Sequence, residues 1–360
     1  MYRKFNKIFL AILFMSHKGI RLARFMHESV DEIFYCWIRR CGGEDFGEEF
    51  ILDKASRYWL FDYREKQYTV FTKAAYIKPK EVVTVSLRSK DTFPYGVFDL
   101  AVKLPPWPKG PTLWFGFEIE DLFGGGVIHY RFVPGTPGSL AACAGAFPEP
   151  VCVELPGFPL DYAEKRHVYS IHVYRSMAVW LIDGKIRGII LYPEHNIGKH
   201  VITNKPPYAV ALAPVKPSTH LSILLDIDGC PEGEYVWEDL HPWNLRVLPG
   251  DPEPKFALKF CKYGSDETLA GSTVESEIVS HPVPAYDLKS KTVFFKASAP
   301  GTLRIEIYTL SGTWEEYDTV SVLGNKLLKE KVDHEALLAR IIYKPSKTPA
   351  HIDVAEYLAV

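Results

Sequence analysis

The sequence predicts an all-β protein built from two β-sandwiches in series, preceded by a short helical segment. Apolar and polar residues alternate along many short runs, which is the period of a half-buried strand. Gly, Pro or Asp residues separate these runs, and many short strands at such spacing are typical of sandwiches or barrels. A proline-rich stretch at residues 249–254 interrupts the pattern. We therefore predict two all-β units that meet at this stretch.

The chain is organised around a predicted hairpin at residues 112–133. Its first arm is Leu-Trp-Phe-Gly-Phe-Glu-Ile-Glu and its second arm is Val-Ile-His-Tyr-Arg-Phe-Val. Each arm alternates apolar residues with residues that carry chemistry, and the glycine-rich connection permits the chain to reverse. We expect the apolar side to be buried, with Phe115, Phe117, Ile128 and Tyr130 behind the polar residues.

The other side of this hairpin carries the candidate functional residues. Cross-strand partners share a face, so a symmetric loop places Glu118 opposite His129. A two-residue slip instead places Glu120 opposite His129 and Glu118 opposite Arg131. In both registers, carboxylates meet cationic or titratable side chains on an open, solvated face that also includes Trp114.

The predicted first sandwich covers residues 49–249. Its expected strands are Tyr68 to Tyr76, Glu81 to Leu87, Tyr95 to Leu104, Val168 to Tyr174, Ala178 to Ile182, Ile186 to Tyr192, Tyr208 to Ala213, Leu221 to Ile227 and Trp243 to Val247, besides the central hairpin. The dipeptide Asp183-Gly184 predicts a two-residue type I′ hairpin, because both residues accept positive φ angles.

The predicted second sandwich covers residues 255–360, after a stiff linker that begins at Leu248. Its expected strands are Lys255 to Phe260, Lys291 to Ala297, Thr302 to Leu310, Glu315 to Val322, Leu337 to Tyr343 and His351 to Ala359. The alternation of Arg304 and Glu306 with Leu303 and Ile305 predicts a sheet with one buried face.

Residues 1–48 have a different character from the rest of the chain. An apolar run from Ile8 to Met15 follows basic residues, as in a signal peptide, but no small-residue cleavage site follows. The protein is extracellular if this run is a signal and cytoplasmic otherwise, and the run is too short to span a membrane. A capping box at Ser29 and Glu32, followed by an apolar stripe, predicts a helix from Ser29 to Arg40.

Composition excludes some classes of function. The formal net charge is -2, and the chain has no dense basic run interleaved with aromatic residues, so nucleic acid is not an expected partner. Gln67 is the only glutamine, asparagine is scarce and there are 27 prolines, which indicates a hyperthermophilic source.

The cysteines show no zinc-ligand spacing. Cys143 and Cys152 bracket a predicted loop rich in Pro, Gly and Ala, so they either form a disulfide or remain free thiols.

These strand patterns resemble the concanavalin A-like lectin/glucanase superfamily over about residues 49–249. The residues that carry the resemblance are the run Tyr95 to Pro105, the central hairpin, His167 to Ile171, Trp180 to Lys185 and Trp243 to Val247. The chain is most similar to family 16 glycoside hydrolases and their non-catalytic relatives. The resemblance implies a concanavalin-like jelly roll of two curved antiparallel sheets, the concave one forming a glycan groove.

The candidate site departs from family 16 enzymes, which carry three acidic residues at alternate positions. Glu118 and Glu120 occupy the first two positions, whereas Leu122 or Phe123 occupies the third. A retaining hydrolase needs two carboxyl groups about 5 Å apart, and residues i and i+2 of one strand approach this only roughly. Ion pairing of the two glutamates with His129 and Arg131 is the alternative interpretation.

Tryptophans and one acidic loop are further candidates. Trp114 shares a face with Glu118, and Trp107, Trp180 and Trp237 lie near predicted strand ends, where indoles either stack on sugar rings or close the core. Asp226 and Asp228 resemble part of a calcium loop, although an ordinary acidic turn explains them as well. No other cofactor is expected.

Three functions stay open from the sequence. The first is a glycan-binding or structural surface protein with Trp114, His129 and Arg131 as contacts. The second is a divergent family-16-like glycoside hydrolase that uses Glu118 and Glu120. The third is an assembly or virion component without a small ligand.

Overall fold

The computed structural model describes residues 34–39, 58–63, 66–71, 74–77, 84–89, 95–104, 113–121, 126–133, 136, 138–146, 150–193, 200–213, 221–225, 227–229, 235–238, 245–249 and 253–360. The chain forms two compact units, residues 1–188 with 215–251 and residues 189–214 with 252–360. The division of the sequence into domains 1–48, 49–249 and 255–360 stays a prediction.

The first sheet contains the central hairpin. Its strands are β1 (Phe34–Arg39), β5 (Thr84–Ser89), β7 (Leu113–Asp121), β8 (Gly126–Phe132), β9 (Leu140–Ala146), β10 (Val151–Glu154), β16 (Leu221–Leu225) and β17 (Ile227–Gly229). They follow the order β1-β5-β16-β7-β8-β9-β10, and β17 also pairs with β7. Neighbouring strands of this sheet pair antiparallel.

The second sheet packs against the first through aromatic side chains. Its strands are β6 (Gly96–Val102), β11 (His167–Val173), β12 (Met177–Ile182), β13 (Lys185–Leu191), β14 (His200–Thr203), β15 (Ala209–Leu212) and β19 (Leu245–Pro249), in the order β14-β15-β13-β12-β11-β6-β19. Tyr130 of the first sheet meets Tyr169 of the second edge to face, with ring centroids 5.6 Å apart. Both rings are fully buried, so the core lies between these sheets.

A small third sheet was not predicted. It contains β2 (Tyr58–Tyr63), β3 (Lys66–Phe71), β4 (Ala74–Ile77) and β18 (Tyr235–Glu238), in the order β18-β4-β3-β2. The expected single strand from Tyr68 to Tyr76 is therefore wrong, because β3 and β4 are separate strands that pair with each other.

The second unit contains a second β-sandwich. One sheet has β20 (Phe256–Lys259), β21 (Thr273–Val274), β24 (Lys291–Ala297), β27 (Leu328–Lys331) and β29 (Ala350–Ala359); the other has β22 (Ile278–Val279), β23 (Val283–Pro284), β25 (Gly301–Tyr308), β26 (Trp314–Val322) and β28 (Leu338–Pro345). The strand orders are β20-β29-β24-β27 and β22-β28-β25-β26. In addition, β21 pairs with β29 and β23 pairs with β28. Phe295 and Tyr343 join the two sheets, with ring centroids 4.9 Å apart.

The prediction of an all-β fold is confirmed, since the described residues form strands and turns without any helix. The predicted type I′ turn is also confirmed, because Asp183 and Gly184 have φ angles of 51° and 73°. The helix predicted from Ser29 to Arg40 is wrong over residues 34–39, which form β1 and pair with β5. Aromatic and β-branched residues in this run favour a strand once a partner strand is present.

Candidate functional site

At Glu118 and His129 the central hairpin has the register expected for a symmetric loop, whereas the pairing of Trp114 with Arg131 departs from it. Strands β7 and β8 pair antiparallel, with Glu118 opposite His129 and Trp114 opposite Arg131. Glu120 lies opposite Val127, which excludes the alternative register with Glu120 opposite His129. Directly opposed residues share a face. We call the five positions Trp114, Glu118, Glu120, His129 and Arg131 the hairpin face.

An irregularity in β7 leaves this face intact. The register shifts between Phe115 and Glu118, because Phe115 lies opposite Tyr130 whereas the next paired residue, Glu118, lies opposite His129. Two residues are therefore inserted on β7, and an even insertion restores the alternation of side chains. Consequently Trp114 and Glu118 stay on the same face on either side of the irregularity.

Two neighbouring rows of opposed residues cross the first sheet through this face. One row runs Asp228, Trp114, Arg131, Ala141, Glu154. The other runs Leu224, Glu118, His129, Cys143, Cys152. The structure thus brings together four of the five predicted positions in two adjacent rows, and Glu120 lies two residues beyond Glu118 on the same strand.

The electrostatic state of His129 differs from the expectation. His129 is completely buried, and burial, with a smaller contribution from the positive charge of Arg131, lowers the pKa of the imidazole to about 3. It is therefore neutral near pH 7, and the prediction of an open, solvated face is wrong at this position. The low polarity around the buried ring disfavours the charged form.

Arg131 supplies the positive charge at the described positions of the hairpin face. Its side chain is partly buried, and burial lowers the pKa of its guanidinium. An arginine nevertheless keeps its proton in a protein, because its ordinary pKa is so high. One fixed cation and one neutral imidazole thus lie on β8, opposite the positions of Trp114 and Glu118.

The opposite side of β8 is anchored in the core, as the sequence predicted for Ile128 and Tyr130. Both residues are buried. The Tyr130 hydroxyl lies 2.9 Å from the carbonyl oxygen of Ser170 and 2.8 Å from that of Leu181. It therefore connects β8 with two strands of the second sheet. The side chains of Phe115 and Phe117 lie outside the described residues.

Trp180 belongs to the same anchor and is not a sugar-stacking residue. Its side chain is fully buried, and its indole Nε1 donates a hydrogen bond of 3.2 Å to the carbonyl oxygen of His129. Of the two interpretations of Trp180, the structure therefore contains the one in which the indole closes the core. Trp107 lies outside the described residues, and Trp237 is described only by its backbone in β18.

A disulfide lies at the end of the row that contains Glu118 and His129. Cys143 and Cys152 are directly opposed on β9 and β10, with their sulfurs bonded at 1.99 Å. The disulfide alternative is therefore the one that the structure contains. The two cysteines therefore lie in strands and not in the predicted loop. The alanine-rich sequence did not indicate these strands, because alanine is uncommon in strands.

The calcium candidates remain a prediction. Asp226 lies outside the described residues, and Asp228 is described only by its backbone position in β17, opposite Trp114. Among the residues that the structure describes, no cluster of three or more His, Cys, Asp or Glu side chains is arranged to hold a metal ion. In the same part of the chain, no helix is long and apolar enough to cross a membrane.

Comparison of the sequence with protein-family models and with curated proteins gives no match. Solved structures of similar fold include a β-glucanase from Bacillus licheniformis, at 11% identity over 60% of this chain and 92% of that chain, with a TM-score of 0.36. A non-specific endo-β-1,3(4)-glucanase from family 16 has 12% identity over 51% and 74%, with a TM-score of 0.34. The laminarinase catalytic domain from Thermotoga maritima has 13% identity over 54% and 81%, with a TM-score of 0.34. At such low identity and TM-score, the likeness concerns the fold alone.

Proposed function

We propose that the chain binds glycans on the hairpin face and does not hydrolyse them. The register of β7 and β8 carries this proposal, because it groups an indole position, a carboxylate position and a guanidinium in two adjacent rows. The imidazole of His129 is completely buried and is therefore not a glycan contact. Saccharides present an apolar ring face beside many hydroxyl groups. An indole matches the ring face, and charged or polar planar groups match the hydroxyls.

The protonation states of His129 and Arg131 on β8 favour binding over catalysis. Hydrolysis requires a group that donates a proton to the glycosidic oxygen and has a pKa near the working pH. His129 does not meet this requirement, because its pKa is lowered to about 3. The guanidinium of Arg131 favours the charged form of a nearby carboxylate. The third acidic position of the family 16 pattern is Leu122 or Phe123, so the pattern itself supplies no further acid.

The proposal is tested by glycan binding of Trp114→Ala. We expect the purified protein to bind members of a β-glucan panel in calorimetric titrations, and the substitution to weaken binding about tenfold or more, since one stacked aromatic ring contributes roughly 1–3 kcal/mol. Arg131→Met should weaken binding as well, because it removes the fixed cation while retaining much of the side chain.

Trp314→Ala is the matched control, because it removes a partly exposed indole from the second unit and should leave affinity unchanged. Circular dichroism checks that each variant is folded. Equal affinity of the wild type and Trp114→Ala would contradict the proposal that glycans bind on the hairpin face. Absence of binding to every glycan would favour the interpretation as an assembly component.

A further inference from the structure

A tight turn between β26 and β27 exposes two leucines at one end of the second sandwich. The side chains of Leu323 and Leu327 are 57% and 58% exposed, although Val322 next to them is almost completely buried. We call residues 323–327 the leucine turn. Leucine side chains so exposed, four residues apart on one turn, gain free energy when another surface removes them from water.

The leucine turn is fixed by its backbone. The Lys326 amide donates a hydrogen bond of 3.1 Å to the Leu323 carbonyl, which closes the turn, and the Asn325 amide donates one of 2.7 Å to the Ala297 carbonyl. Asn325 has a φ angle of 63°, which asparagine tolerates at the third position of such a turn. A Cβ atom at Gly324 would lie 2.8 Å from the Ser298 carbonyl oxygen. The packing of this backbone therefore holds both leucines at the surface.

Four exposed lysines lie in the segments at the same end of the sandwich as the leucine turn, and the first acidic residue after the turn is Glu330. Gly301 at the start of β25 pairs with Val322 and with Pro345, so the loops beside these residues share one end of the sandwich. The three segments at this end are residues 297–302, 322–329 and 344–350. They contain no Asp or Glu, and their exposed lysines are Lys326, Lys329, Lys344 and Lys347.

We propose that the leucine turn and its lysines dock the second unit on an anionic lipid surface. Lysines near a membrane are attracted to anionic headgroups, and exposed apolar side chains enter the interface between headgroups and acyl chains. A nucleic acid or an acidic polysaccharide would use the lysines but would not require the leucines. The paired exposure of both leucines between lysines therefore favours a lipid surface over a soluble polyanion.

Co-sedimentation with vesicles tests this proposal on the full chain. We expect binding to vesicles of phosphatidylcholine with phosphatidylglycerol, weaker binding at high salt, and little binding to phosphatidylcholine alone. The double substitution Leu323→Ser and Leu327→Ser should weaken binding about tenfold or more. Lys326→Gln with Lys347→Gln should also weaken it, because both positive charges leave the surface.

Matched controls come from the same chain. Leu160→Ser removes a leucine that is 93% exposed in the first unit and should bind like the wild type. Lys255→Gln with Lys259→Gln removes two exposed lysines outside the three segments and should also have no effect. Thermal unfolding verifies that every variant is folded.

Three results would overturn the proposal. These are no binding to anionic vesicles, equal binding to neutral and anionic vesicles, and unchanged binding of the double leucine variant. Loss of binding in the lysine variant alone would indicate a site for soluble polyanions instead. This surface is independent of the hairpin face, so a failure here leaves the proposed glycan site untouched.

Discussion

His129 is the residue whose surroundings differ most from what its position in the sequence indicates. The period-two pattern leaves either Glu118 or Glu120 opposite His129, and the structure has Glu118 there. Its complete burial depends on what packs over the sheet, and a local pattern does not contain that information. The consequence is chemical, because a buried neutral imidazole offers one hydrogen-bond donor and one acceptor instead of a positive charge.

The lowered pKa of His129 predicts a loss of stability in mild acid. The unfolded chain takes up a proton near the ordinary pKa of 6.5, whereas the folded chain does not until about pH 3. The free energy of unfolding should therefore fall as the pH is lowered through 6.5, by roughly 1.4 kcal/mol per pH unit for this histidine. Denaturant unfolding between about pH 7 and about pH 4.5 measures this slope.

His129→Gln should remove the contribution of this histidine to the pH dependence of the free energy of unfolding. His281 should contribute in the same direction, because burial lowers its pKa to about 4 while a hydrogen bond to the Tyr208 carbonyl acts in the opposite sense. His281→Gln is therefore the parallel variant. An unchanged pH dependence in His129→Gln would mean that the buried imidazole is not neutral in the folded state.

At the scale of elements, β8 is held from its core side by hydrogen bonds that cross between sheets. The Tyr130 hydroxyl donates its one proton to two carbonyls of the second sheet, which share it, and the Trp180 indole donates a hydrogen bond to the backbone of β8 itself. These bonds fix the strand that presents His129 and Arg131. The sequence predicted that Tyr130 is buried, but not the partners of its hydroxyl, which come from strands remote in sequence.

Tyr130→Phe should lower the free energy of unfolding by about 1–3 kcal/mol, because buried hydrogen-bonding groups lose their partner. Tyr192→Phe is the matched control. The Tyr192 hydroxyl is also buried but has no hydrogen-bond partner among the described residues, so its removal should be neutral or slightly stabilising. Denaturant unfolding compares the two variants, and an equal effect in both would contradict the anchoring role of Tyr130.

Two elements show why local patterns failed in places. The segment from Phe34 to Arg39 has an apolar stripe that is typical of a helix and also side chains that favour a strand. It forms a strand, because it pairs with β5. Strand β9 consists largely of alanine with a glycine and a cysteine, which local preference does not predict as a strand. It lies between β8 and β10, so pairing on both sides stabilises it.

At the scale of the whole molecule, alternation and turn residues were sufficient to predict the all-β class. Strand β24 has its predicted bounds, and the hairpin at Asp183 has its predicted turn. The third sheet could not be predicted, because its strands β4 and β18 are far apart in sequence. The sequence left two registers of the hairpin open, and the structure contains the one with Glu118 opposite His129. The charge state of its residues depended on tertiary packing.

The proposed function requires that the hairpin face binds glycans without cleaving them. Release of reducing ends from a panel of β-glucans tests it most directly, over a range of temperatures and with the wild type beside Glu118→Gln and Glu120→Gln. We expect no release by any of the proteins, together with retained glycan binding in at least the wild type. Hydrolysis by the wild type that is lost in either variant, with the fold intact by circular dichroism, would contradict the claim and assign the chain to the glycoside hydrolases.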